Sequence, residues 1–83
     1  MLNILYFAAL RESLGVAREQ LGVPAPATID ALLQSLRARG GAWADQLAAG
    51  KRWRVAVNQE MAGLETPLKA GDEVAIFPPV TGG

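Results

Sequence analysis

The strongest constraint on this chain is that its most apolar stretches lie at its two ends, MLNILYFAA over residues 1–9 and EVAIF over residues 73–77, with one well-formed amphipathic helix pattern between them. A sheet built from both ends of a chain must bring those ends side by side, and the helix between them must cross it. Large apolar side chains fall on both parities of residues 1–9, as expected of a central strand covered on both faces.

The helix pattern begins after Thr28, a good N-cap, with Asp30 in the first turn, where its charge meets the positive end of the helix dipole. Ile29, Leu32, Leu33 and Leu36 recur at i, i+3, i+4 and i+7 and make one apolar stripe, while Gln34, Arg37 and Arg39 face elsewhere. Gly40 and Gly41 end it, and Ala42 to Leu47 can form a further turn with Trp43 and Leu47 on one side. Earlier in the chain, Ala8 to Leu14 holds helix formers closed by Gly15. Arg18 to Val23, bounded by Pro24 and Pro26, suits a sheet edge. Trp53, Val55 and Val57 alternate with Arg52, Arg54 and Ala56, the period of a strand with one buried face. Asn58 and Gln59 offer a turn, Met61 to Leu64 a short return strand, and Ala70-Gly71-Asp72 a turn into the last strand. The resulting fold class is α+β, a β-grasp roll with a mixed sheet of about four to five strands crossed by one main helix. The expected organisation is a folded domain over residues 1–79 and a flexible tail over residues 80–83.

A chain of 83 residues suits one domain and leaves little room for a large enclosed pocket. Eight basic and eight acidic side chains cancel, and neither sign forms a run, so nothing favours nucleic acid or an anionic membrane as partner. Arg52 and Arg54 around Trp53 come nearest to a basic aromatic patch, and alternate charges on a half-buried strand account for them. The chain has no Cys and no His, which removes disulfides, thiol nucleophiles, imidazole bases and nearly all transition-metal sites, so no metal site is expected. With no apolar run long enough to span a bilayer and no basic region ahead of residues 1–10, the expected location is the cytoplasm.

Chemistry is concentrated in the ending FPPVTGG. Two terminal glycines occur by chance in about 0.5% of chains if Gly is taken at about 7% of residues. Pro78 and Pro79 stiffen the exit from the sheet and project the tail away from the globule. Gly82 and Gly83 lack Cβ atoms, so they can pass a narrow channel and let another protein's groups approach the terminal carbonyl. A free α-carboxylate, with a pKa near about 3.5, is an anion that no sulfur nucleophile attacks until adenylation gives it a leaving group.

The stretches NILYFAALRE, VAVNQE and AGDEVAIFPPVTGG together resemble the molybdopterin synthase small-subunit family of ubiquitin-like sulfur carriers, over nearly the whole chain. That resemblance implies a β-grasp fold and ATP-dependent adenylation of Gly83 by an E1-like activating enzyme. Sulfur loading by a donor protein then gives a thiocarboxylate, which is delivered to cyclic pyranopterin monophosphate in the active site of a large subunit. It implies a heterotetramer with two carriers flanking a large-subunit dimer. It implies no cofactor bound by this chain, since ATP and Mg are used by the activating enzyme, and the chain lacks a P-loop pattern. By the same resemblance Phe7, Arg11, Met61 and Phe77, with Pro78, Pro79, Val80 and Thr81 along the tail, meet the partners. Against this, aromatics on core strands are more often packed inside, so Phe7 and Phe77 are first expected in the interior. Met61 suits the interior or an interface, since a flexible thioether serves either, and Arg11 suits an interface or a solvated helix surface equally. Asp72 and Glu73 are read as turn and strand-start residues. Carriers for other pathways, such as thiazole formation for thiamin, and ubiquitin-like modifiers or interaction modules share the Gly-Gly ending and are the alternatives.

Overall fold

The computed structural model describes residues 1–48 and 53–78. In chain order the elements are β1 (Leu2–Tyr6), α1 (Ala8–Leu14), β2 (Arg18–Leu21), α2 (Ile29–Arg37), α3 (Gly41–Gln46), β3 (Arg54–Val57), β4 (Glu60–Ala62) and β5 (Glu73–Phe77). The two apolar ends meet as expected. β1 and β5 run parallel in the middle of a five-stranded sheet of order β2-β1-β5-β3-β4, and the other pairings are antiparallel. This is the β-grasp roll, with β2 at an edge as its short, charged sequence requires.

Local chemistry fixes the turns. Gly15 closes α1 in the left-handed conformation at φ 76°, and its N–H donates to the Arg11 carbonyl. Thr28 caps α2, its hydroxyl accepting from the Ala31 N–H at 3.2 Å. Asn58 and Gln59, at φ 50° and 71°, form the two-residue connection of the β3–β4 hairpin, the geometry that matches strand twist. The Asn58 side chain then ties this turn to the start of β5. It donates to Asp72 at 3.0 Å and accepts from the Glu73 N–H at 3.0 Å. Hydrogen bonds to its charged form, led by that from Asn58 and joined by that from the Lys69 N–H, hold the Asp72 carboxyl below its ordinary pKa. Asp72 is thus a turn residue, as its sequence position indicates.

The core lies on one face of the sheet. Ile29, Leu32, Leu33 and Leu36 of α2 are each at most 2% exposed and pack against Leu2, Ile4, Tyr6, Val55, Val74 and Ile76. Burying each such side chain is worth about 1.5–3 kcal/mol. At the margin of the core, Tyr6 donates to Glu19 at 2.7 Å, and Arg39 grips both oxygens of the same carboxylate at 2.9 Å. The Arg39 guanidinium also lies 4.4 Å from the Trp43 ring, which meets Tyr6 edge-on. Burial first, and then the bond to Glu19, pushes the Tyr6 phenol well above its ordinary value, while Arg39 draws the Glu19 carboxyl down.

Two expectations are corrected. β1 is not covered on both faces: Leu2, Ile4 and Tyr6 are buried, whereas Asn3 and Leu5 are only half-buried, because all the helix packing falls on one side. In β3 Ala56 is buried although it stands opposite to Val55, since its short methyl lies between cross-strand neighbours Ala75 and Met61. No helix among the described residues is long and apolar enough to cross a membrane.

Candidate functional site

The face of the sheet that α2 leaves bare carries the candidate site. Strand alternation and register place its residues in rows. One row runs Arg18, Leu5, Ala75, Ala56, Met61 across β2, β1, β5, β3 and β4. The next row, at the end of the sheet where β5 finishes, contains Phe7, Phe77 and Arg54.

Phe7 lies just past β1, and its N–H donates to the Ile76 carbonyl at 3.2 Å, so the parallel ladder continues one residue beyond the strand. Its backbone is still extended, and the chain then turns sharply through Ala8 at φ 51° into α1. A left-handed residue with a Cβ is costly, by about 1–2 kcal/mol, and here it sits directly beside the ring. The Phe7 and Phe77 rings stack at 4.7 Å between centroids and 14° between planes. Neither belongs to the core, against the first expectation. Phe7 is 39% exposed and Phe77 half-buried, because both fall on the parity that faces away from α2. Met61, at 62% exposure, projects from the neighbouring row on the same face. Arg11 is exposed on α1, four residues after Phe7. Pro78 follows Phe77 directly and is half-buried, whereas Pro79, Val80, Thr81, Gly82 and Gly83 lie outside the described residues.

The structure thus brings Phe7, Phe77 and Met61 onto one bare face at the root of the chain end. Its floor is Leu5, Ala75 and Ala56, and its flank is Arg54. Sequence reading assigns none of these four to an interface, although the parity of the strands is enough to find them once the bare face is known. Such a face, apolar in the middle and charged at the rim, has the make-up of a protein interface. Trp53, the centre of the suspected basic aromatic patch, is half-buried against the core and donates its indole N–H to the Ala48 carbonyl at 3.0 Å. That makes it a packing residue, while Arg52 lies outside the described residues.

Comparison with known proteins agrees with this fold. The model of the ThiS family matches residues 4–83. The molybdopterin synthase sulfur carrier subunit of Haemophilus influenzae is 48% identical over 83 residues, covering 100% of both chains. The subunit of the same description from Escherichia coli is 43% identical, again over 100% of both. Among solved structures, SAMP1 from Haloferax volcanii, a small archaeal modifier protein, superposes with a TM-score of 0.74 at 31% identity, covering 99% of this chain and 98% of its own.

Proposed function

The chain belongs to the ThiS family, and on that premise we propose that it is the sulfur carrier subunit of a molybdopterin synthase, with the carboxylate of Gly83 as its working group. The observation that carries this reading is 48% identity to such a subunit over the full length of both chains, terminal glycines included in the span. The bare sheet face supports it, since a carrier without catalytic side chains has to dock on proteins that possess them.

On this reading the Gly83 carboxylate attacks the α-phosphorus of ATP on a separate E1-like activating enzyme, and pyrophosphate leaves. A sulfur donor protein supplies a sulfide equivalent that attacks the acyl carbon and expels AMP, leaving a thiocarboxylate. ATP and Mg belong to the activating enzyme. The loaded end then enters the large subunit and passes one sulfur to cyclic pyranopterin monophosphate, water returning the acyl group to the Gly83 carboxylate, so that two loaded carriers are needed to build the dithiolene. Phe7, Phe77 and Met61 form the docking patch, Arg11 adds a cation beside it, and Pro78 to Thr81 carry Gly82 and Gly83 into the partner. The setting for these partners is the cytoplasm, and the assembly is a heterotetramer.

The test is direct. Incubation with the activating enzyme, ATP and a sulfur source should raise the intact mass by about 16 Da, one oxygen exchanged for sulfur. Removing Gly83 should abolish that gain without lowering the melting temperature, because chain termini contribute little packing. A truncated chain that still delivers sulfur would exclude the mechanism. The likeness to SAMP1 favours a second reading, conjugation of Gly83 to lysines as a protein modifier. Lysine-linked adducts ending in Gly-Gly after incubation with ATP and a cell extract, in place of the mass gain, would select it.

A further inference from the structure

Arg54 differs from the other described cations in its place at the end of the sheet. It pairs in register with Phe77, the last residue of β5, so its Cα lies beside the point where the chain leaves the sheet. It is exposed, and among the described residues it forms neither an ion pair nor a side-chain hydrogen bond. Arg39 and Arg37, in contrast, are committed to Glu19 and to the Leu47 carbonyl, while Arg11, Arg18 and Lys69 are exposed like Arg54 but do not pair in register with Phe77. Beside Arg54 lie the stacked Phe7 and Phe77 rings and the floor of Ala56 and Ala75.

A partner that covers these rings also strips water from the guanidinium next to them. A desolvated cation left unpaired opposes binding, whereas a carboxylate placed against it restores the lost hydrogen bonds in a bidentate fork. The acid on this face among the described strands, Glu73, lies at the other end of β5, about 13 Å away at about 3.3 Å per residue. The face therefore has an apolar centre, Arg54 at the end from which the tail departs, Arg18 on the β2 edge and an acid at the opposite end. Charges arranged in this way fix the direction of docking more than its strength.

We propose that Arg54 is a specificity-determining docking residue that pairs with a carboxylate on the large subunit, set beside the mouth that receives the tail. This rests on the sulfur-carrier reading above. The pair orients the carrier so that the last strand points its end into the acceptor, and a reversed approach would set Glu73 against the same carboxylate.

The test is calorimetric titration of the purified large subunit of the same organism with wild-type carrier, Arg54→Lys, Arg54→Gln and Arg54→Glu, at low and high salt. At low salt the expected order is Lys nearest to wild type, Gln weaker by about tenfold and Glu by about a hundredfold, with the spread narrowing at high salt. Melting curves should coincide, because Arg54 is exposed. Phe7→Asp serves as the control for the surface itself. If Phe7→Asp loses binding while Arg54→Glu stays within about twofold of wild type, the Arg54 pairing is wrong and sheet-face docking stands. If neither variant weakens binding, docking through this face is wrong as well.

Discussion

The two faces of the sheet are built from alternate residues of the same strands, yet they do opposite things. On one face Leu2, Ile4, Tyr6, Val55, Val74 and Ile76 are at most 3% exposed under α2. On the other, Phe7 and Met61 are 39% and 62% exposed, and the floor between them is Leu5, Ala75 and Ala56. Aromatic and thioether side chains are costly to leave in water, and here the two rings are left there at the end of the sheet where the chain departs, with the thioether one row back. The difference teaches that hydrophobicity on this chain is divided, folding on the even positions of β1 and β5 and, on the proposed reading, recognition on the odd ones.

The largest effect expected from breaking that division is on the buried side. Ile76→Ala should cost about 2–5 kcal/mol of stability, measured by urea unfolding. Its neighbour Phe77 should behave in reverse. Phe77→Asp should weaken binding to the large subunit by about a hundredfold while moving the unfolding midpoint little. An isolated Phe77→Asp carrier that unfolds would return that ring to the core and erase the distinction. The smallest effect concerns the margin of the buried face. Glu19 has a folded pKa below its ordinary 4.5, first because Arg39 hydrogen-bonds its charged form. Its contribution to stability is therefore present above that value and lost as pH falls through the lower folded one. Urea midpoints should fall as the solution is acidified from about pH 5, and Glu19→Gln should flatten that slope in part, since Asp72 is shifted in the same direction.

Much of the fold is legible in the sequence because the signals are local. The four α2 residues Ile29, Leu32, Leu33 and Leu36 declare their stripe by spacing alone, and Thr28 and Gly15 mark helix ends by their own chemistry. The parallel pairing of β1 with β5 follows from the need to bury two apolar ends together. The bare face is harder to see. Phe7 and Phe77 carry the same apolar signal as Tyr6 and Ile76, and only the side on which α2 packs tells them apart. Arg54 reads as one of several solvated charges because its register partner, Phe77, is 23 positions away in sequence. The ending FPPVTGG is the plainest functional signal, and its last five residues lie outside the described structure.

The central parallel pair also has a mechanical consequence. Because β1 and β5 point the same way, a pull on the chain beyond Phe77, opposed by a hold near Leu2, drags the two strands past one another in shear. Their ladder, from Asn3–Glu73 to Tyr6–Ile76, must then yield all at once instead of opening one bond at a time like a zipper. If the proposed carrier's end is gripped and withdrawn by successive enzymes, this pairing braces the domain against unravelling along the line of force.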